Sequence, residues 1–334
     1  MVSDKQLTHP ILAKFADMRV LGKSPASLFL RLNQWIWKRL PSRVRGWSLV
    51  RAYGRWLHTL VCVRSRRQQA FGTFFLRNRP ALELMRRLAD NKPEGASMKI
   101  SVMGCSIGAE VYSILWTLRR ARPDLKIALS ASDISKEILM FAERGEYSPD
   151  TFKLVYASIF ERLDPDEMRE MFDWDRDRAR VKSWLRDGIA WLPGNAGDPE
   201  LVRILGPQDI VVASNFLCHM APADSETCLR NIAQLVAPGG YLFVSGVDLD
   251  VRSKVALDLN WEPVRELLAE IHDGDPSVRN DWPWQWWGLE PLDRRGRDWQ
   301  TRYAAVFRIA GQQNRTQEHD LCEKTASCCN RDAN

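Results

Sequence analysis

The apolar positions change period partway along the chain. Leu28, Phe29, Leu32, Trp35, Ile36 and Leu40 recur at three- and four-residue steps, with Arg31, Lys38 and Arg39 between them. That spacing predicts an amphipathic helix, which Pro41 stops. A second helical pattern covers 47–63 and runs into the basic Arg64-Ser65-Arg66-Arg67. The turn-forming stretch 91–97, Asn-Lys-Pro-Glu-Gly-Ala-Ser, breaks the pattern. Beyond it, short apolar runs alternate with helical ones. Strands are predicted at 98–103, 126–132, 189–194, 209–214 and 240–245, and helices at 108–121, 135–144, 198–205 and 224–236. Such alternation predicts an α/β architecture: a doubly wound, Rossmann-like parallel sheet with helices on both faces, behind a helical N-terminal domain at 1–90.

Residues 148–188 interrupt the alternation. A charged helical stretch from Asp164 to Asp177 and a short hairpin from Val181 to Trp184 predict an inserted subdomain there. A helix is predicted from Trp261 to Asp273, and a closing strand from Tyr303 to Ile309. Between them, Trp282, Trp284, Trp286 and Trp287 fall within six residues, which reads either as a plug packed on the sheet or as an apolar wall over a ligand. The polar 311–334 tail reads as disordered.

Composition and charge narrow the picture. With 45% apolar and 27% charged residues the chain is globular. No apolar run is long enough to span a bilayer and the N-terminus lacks a signal-peptide core, so a cytoplasmic protein is expected. Seven scattered cysteines show neither a disulfide framework nor metal-ligand spacing. Residues 1–90 hold 18 Lys/Arg against 4 Asp/Glu; that net of +14 within a chain total of +6 leaves −8 for the rest. Such a basic module suits nucleic acid, an anionic membrane surface or an acidic carrier protein, or is simply a solvated face.

The candidate chemistry centres on Gly104-Cys105-Ser106-Ile107-Gly108. A strand, a tight glycine turn and a helix N-terminus in succession form a cradle for a nucleotide-like ligand. The same five residues spell the Gly-x-Ser-x-Gly elbow of a serine hydrolase. Asp133 stands 25 residues after Gly108 at the tip of the next strand, where it can accept ribose hydroxyls or, like Ser135, cap a helix. A hydrolase needs an acid and then a histidine after the nucleophile, which leaves Asp209 with His219 or His272.

Six ordered stretches carry a resemblance. Thr73-Phe74-Phe75-Leu76-Arg77, Ser106-Ile107-Gly108-Ala109-Glu110-Val111-Tyr112-Ser113 and Ser132-Asp133-Ile134 come first. Asn195-Ala196, Ser214-Asn215-Phe216-Leu217-Cys218-His219-Met220 and Pro238-Gly239-Gly240-Tyr241-Leu242-Phe243 follow. Together they resemble the chemotaxis-receptor glutamate methyltransferases, the CheR-type enzymes that use S-adenosylmethionine, over about residues 70–250. The resemblance implies a class I methyltransferase fold over 98–310 and S-adenosyl-L-methionine as cofactor. It implies that Thr73 and Arg77 reach the methionine end and the transferring methyl, and that Glu110 binds the amino-acid or ribose portion. It further implies that Asp133 holds the ribose, that Asn195 contacts the adenine edge and that Asn215 lines the site near the sulfonium. Gly104, Ser106, Gly108, Ile134 and Ala196 complete the implied cofactor set, and Arg77, Asn215 and His219 the catalytic one. No metal is implied.

The chain departs from that pattern at the acceptor side. Ser214 stands where the family has arginine, His219 where it has tyrosine, and Ala109 where it has one of two glutamates. These departures point away from the chemotaxis substrate rather than from the cofactor. The expected reaction is O-methylation of a small, apolar carboxylic acid, with Arg77 orienting the carboxylate. The Phe-Leu-Arg-Asn-Arg-Pro stretch at 75–80 is also similar to bacterial enzymes that turn 3-hydroxy fatty acids into methyl-ester quorum-sensing signals. Under that likeness the partners are a small acid, delivered by an acyl carrier protein or from a membrane surface, and no nucleic acid. A protein-glutamate methyltransferase and a non-catalytic cofactor-binding regulator stand as alternatives.

Overall fold

The computed structural model describes residues 25–45, 47–64, 72–148, 159–274 and 290–310. Its strands are β1 (Ser97–Met103), β2 (Lys126–Asp133), β3 (Glu146–Tyr147), β4 (Phe172–Asp175) and β5 (Arg178–Val181), followed by β6 (Ile189–Pro193), β7 (Gln208–Ser214), β8 (Val236–Ser245), β9 (Glu262–Pro263) and β10 (Val306–Arg308). Seven of them form one sheet in the order β6-β2-β1-β7-β8-β10-β9. The first five of that row are parallel, and β10 runs antiparallel to both its neighbours. The direction of winding reverses between β1 and β7, which opens a crevice at the carboxyl ends of the strands.

Period-two alternation divides the sheet between two cores. Ile210 and Val212 of β7 face a cluster with Ile100, Val102, Leu84, Tyr112 and Phe75. Val211 and Ala213 face the other cluster with Val244, Leu229, Ile232 and Val255. Successive side chains of a strand leave on opposite faces, so a continuous apolar run such as 210–213 fits only a strand covered on both sides. The covering helices include α3 (Arg79–Asp90) and α4 (Ala109–Ala121) on the first face, and α8 (Pro222–Ala233) and α9 (Leu249–Asp258) on the second. Further helices are α5 (Lys136–Arg144), α6 (Pro165–Met171), α7 (Pro199–Leu205) and α10 (Leu268–Asp273).

Several boundaries differ from the sequence expectation. The stretch at 91–97 is a turn between α3 and β1, and Leu84, Met85 and Ala89 of α3 lie in the first core. The helical unit therefore does not end at residue 90: α1 (Pro25–Arg39) and α2 (Ser48–Arg64) pack on each other through Trp37 and Leu57, whereas 72–90 belong to the sheet. Within the insertion, the charged helix stops at Met171 and Phe172–Asp175 becomes a strand. The hairpin is β4-β5, turning at Arg176, and Ser183–Arg186 is a helical turn. With β3 it makes a three-stranded sheet in the order β3-β5-β4. The predicted 261–273 helix is shorter: Glu262–Pro263 pairs with β10 as an edge strand and α10 starts at Leu268. Tyr303 ends a short helix and the closing strand is Val306–Arg308. The tryptophan segment at 282–287 and the 311–334 tail lie outside the described residues.

An aromatic cluster ties the small sheet to the main one. Phe75 meets Tyr147 and Phe172 edge-on, at centroid separations of 5.3 and 4.9 Å, and stacks on Phe160 at 5.7 Å. Its main-chain N–H donates to the Ile159 carbonyl at 3.0 Å. The Tyr147 hydroxyl donates to the Ile107 carbonyl at 2.8 Å. One insertion thus holds both the 73–77 segment and the glycine turn in place.

Candidate active site

The carboxyl ends of β1, β2, β6, β7 and β8 surround a cavity of about 380 Å³. Residues from every quoted stretch reach its wall: Thr73, Arg77, Gly104, Ser106, Glu110, Asp133, Ile134, Asn195, Ala196, Asn215 and His219, with Phe243 from the last stretch. Gly108 is the exception. It caps α4 with φ +85°, and a Cβ there would meet Ala142 at 3.1 Å and Tyr112 at 3.2 Å. Its place in the motif follows from the turn rather than from contact with a ligand.

The glycine turn is held from below by Asp133. Its Oδ2 accepts the Ser106 N–H and its Oδ1 accepts the Ser135 N–H, both at 3.0 Å. Ser135 is the N-cap of α5, accepting from Ile138 N–H, so capping and the tip carboxylate fall to different residues. Asp133 is only 7% exposed. A buried carboxylate must be matched by donors, and the turn supplies two of them. Gly104, with φ +65°, lets Phe216 approach: a Cβ would stand 2.8 Å from that ring.

Three non-glycine residues near the cavity have left-handed backbones: Leu76 (φ 51°), Ser106 (φ 50°) and Asn215 (φ 59°). Each is restrained by its surroundings, as a strained conformation requires. The Leu76 N–H donates to Ser113 Oγ at 2.9 Å. The Asn215 N–H donates to the Ser245 carbonyl at 2.9 Å, and Gly246, also left-handed, lies so close that a Cβ would sit 2.5 Å from Asn215 Cα.

Charge within the wall is uneven. Glu110, in the first turn of α4, sits above the ordinary carboxylate range: enclosure pushes it up, more than a hydrogen bond from Ser214 and the nearby Arg77 cation pull it down. Arg77 also donates to the Gly72 carbonyl at 3.4 Å. Ser214, where the arginine of the resemblance is missing, thus serves as a donor to Glu110. At the far side, His272 Nε2 lies 2.9 Å from the Glu290 carbonyl, and the Glu290 carboxylate accepts from Arg302 at 2.7 Å and Tyr303 at 2.8 Å. Burial raises Glu290, but those donors and Arg55 outweigh it and hold the carboxyl low. Arg55 and Arg51 join α2 to this corner through Glu290 and Asp293.

The hydrolase alternative fails on geometry. Asp209 lies at the amino end of β7, where it accepts from Lys92 Nζ at 2.7 Å and the Lys99 N–H at 2.8 Å. The glycine turn lies at the opposite, carboxyl end of the sheet. Sequence reasoning also missed part of the wall. Asn78, Leu82, Met85, Arg252 and Ile271 line the cavity. Their spacing reads as helix or strand core, and only the tertiary fold turns them inward.

A seven-stranded, doubly wound sheet with one antiparallel strand near its edge, and an acid at the tip of β2 beneath a glycine turn, defines a class I nucleoside-cofactor fold. Residues 72–252 match the family CheR methyltransferase, SAM binding domain. That match covers more than half of the chain, and the chain belongs to this family. It is 27% identical over 168 residues to a chemotaxis protein methyltransferase of Vibrio parahaemolyticus, and 28% identical over 168 residues to chemotaxis protein methyltransferase 1 of Vibrio cholerae. Each alignment spans 48% of this chain and 57% of the relative. Among solved structures, the magnesium protoporphyrin IX methyltransferase of Synechocystis PCC 6803 with bound SAM superposes loosely, with TM-score 0.32 and 14% identity, over 55% of this chain and 69% of that one.

The cofactor of the family, S-adenosylmethionine, fits the wall. The buried Asp133 carboxylate suits ribose hydroxyls, Glu110 suits an ammonium group, and Ile134, an apolar side chain 62% exposed beside Ala196, suits an adenine face.

Proposed function

We propose that the chain is an S-adenosylmethionine-dependent carboxyl O-methyltransferase acting on a small apolar acid such as a 3-hydroxy fatty acid. The observation that supports this acceptor is the continuity of one cavity. Besides Asp133 and Glu110, its wall carries Leu82, Met85, Phe243, Ile271 and Val306. An alkyl chain can be buried against these apolar side chains.

When bound, the cofactor supplies an electrophilic methyl group on sulfur. The protein's part is to position and to exclude water. Asp133 would hold the ribose, Glu110 the amino-acid end, and Asn195 the adenine edge. Thr73 and Arg77 would meet the methionine portion, and Asn215 would lie near the reacting centre. Arg77 balances Glu110 electrostatically. A carboxylate acceptor is already a nucleophile at neutral pH, so no strong base is needed and His219 acts as a hydrogen-bond donor at the mouth. The likeness to chemotaxis methyltransferases favours a second reading, methylation of a protein glutamate.

The α1–α2 pair supports an anionic membrane surface as the place where such an acid is met. Leu28, Leu32, Trp35, Trp47, Leu49 and Trp56 are exposed. Between Asp17 and Glu83 the chain contains no acidic residue. Basic groups with exposed tryptophan and leucine match a headgroup boundary. No helix among the described residues is long and apolar enough to cross a membrane.

Methyl transfer from radiolabelled S-adenosylmethionine decides between the acceptors. Alkali-labile label is expected on 3-hydroxydecanoate and not on glutamate-bearing receptor peptides. Label on the peptides alone overturns the small-acid reading.

A further inference from the structure

Arg252, in the first turn of α9, is 3% exposed and forms part of the cavity wall. A guanidinium has five N–H donors. Here Nη1 donates to the Val244 carbonyl at 3.2 Å and Nη2 to the Arg302 carbonyl at 3.0 Å, while the enclosed Nε has no partner. No carboxylate pairs with it among the described residues. Arg302, whose charge lies beside it, binds both Glu290 and Asp250 at 2.7 Å. Arg77 differs, because Glu110 lies within its field. Burial, with the Arg302 charge beside it, pushes Arg252 down to about 9, so it remains a cation at neutral pH.

A buried cation without an anion is costly, and an apolar side chain of similar size would serve the packing as well. The group makes sense if an anion arrives with the ligand. We propose that Arg252 is the anchor for the acceptor's carboxylate, binding one oxygen and leaving the other for methylation. The proposal rests on the carboxyl-methyltransferase reading above. The free carboxylate oxygen forms the new bond to the methyl carbon as the carbon–sulfur bond breaks, and the bonding pair stays on sulfur. The anion and the sulfonium become a neutral ester and a neutral thioether, with no proton moved. The ester no longer carries the charge that Arg252 holds, so the subsite prefers substrate over product.

The test uses the full chain, loaded with S-adenosylhomocysteine, and compares decanoate with methyl decanoate by calorimetry. The wild type is expected to bind decanoate more tightly than the ester. Arg252→Met should weaken decanoate by about tenfold to a hundredfold and the ester by less than about twofold. Arg252→Lys should keep the preference for the acid, and S-adenosylhomocysteine affinity should be unchanged in both variants. Thermal denaturation of the same samples shows whether each variant keeps the fold. Decanoate binding that is absent from the wild type, or unchanged in Arg252→Met, overturns the proposal. Should Arg252→Met not fold, Arg252→Gln takes its place, and an acid preference equal to the wild type's in that variant overturns the proposal. Failure of the wild type to bind S-adenosylhomocysteine at all overturns the methyltransferase reading instead.

Discussion

Replacing Asp133 by asparagine attacks the cofactor site at its most connected point. The carboxylate accepts one N–H on each oxygen, from Ser106 and from Ser135, both at 3.0 Å. An amide keeps one acceptor and turns an NH₂ group toward the other N–H, so one donor is left unmatched whichever way it is placed. A buried unmatched donor costs about 1–3 kcal/mol, and here part of that cost falls on the Ser106 turn that must cradle the ligand. The remaining lone pairs are those assigned to two ribose hydroxyls. Exchanging a charged acceptor for a neutral one loses about 1 kcal/mol per hydrogen bond. Two such losses and about 1 kcal/mol from the disturbed turn sum to about 3 kcal/mol, or roughly a hundredfold in affinity. Calorimetry with S-adenosylhomocysteine at fixed pH reads this directly, with thermal denaturation of the same samples to show that the fold persists. An affinity within about threefold of wild type would refute the assignment of Asp133 to the ribose.

Other expectations follow from the same geometry. The Glu110 carboxyl titrates above its ordinary value, so cofactor affinity should rise with pH through that titration as the ionised form becomes available to the ammonium group. Glu110→Gln should flatten this dependence; by the same linkage it should also flatten the loss of stability as pH rises through the raised value. Calorimetry and melting curves across pH check both. Gly246→Ala places a Cβ 2.5 Å from Asn215 Cα in a left-handed backbone, so about 1–2 kcal/mol of conformational cost adds to a displacement of the Asn215 turn. Its melting temperature should drop by several degrees and turnover should fall with it; an unchanged melt would contradict the close approach. Vesicles containing anionic lipid should co-sediment the protein, less so at high salt, and Trp35→Ser with Trp56→Ser should weaken binding. Equal binding to neutral vesicles would argue against the basic face.

The residues that carry local rules were readable without the fold. Short, largely apolar runs bounded by turns and alternating with helical patterns read as covered strands, and β1, β2, β6, β7 and β8 all fall within a few residues of their predicted limits. Glycines with left-handed backbones mark the turns, and the acid after β2 keeps its place because strand length and turn chemistry are local. The end of α3 misled for the opposite reason. Its basic, amphipathic pattern matched the preceding helices, and nothing in that pattern says that Leu84 and Met85 pack on the sheet. The aromatic cluster around Phe75 was likewise invisible, because its members are spread from 75 to 172 and meet only after the insertion folds back.

The sequence by itself therefore determined the doubly wound sheet, the glycine turn and the cofactor family, since each depends on short-range spacing. The tertiary structure alone decided which charges are paired. Glu110 meets Ser214 and Arg77, Asp209 is taken by Lys92 at the wrong end of the sheet for catalysis, and Arg252 is enclosed with no paired carboxylate among the described residues. Pairing is a matter of ångströms between residues far apart in the chain, and burial sets how much each unpaired charge matters.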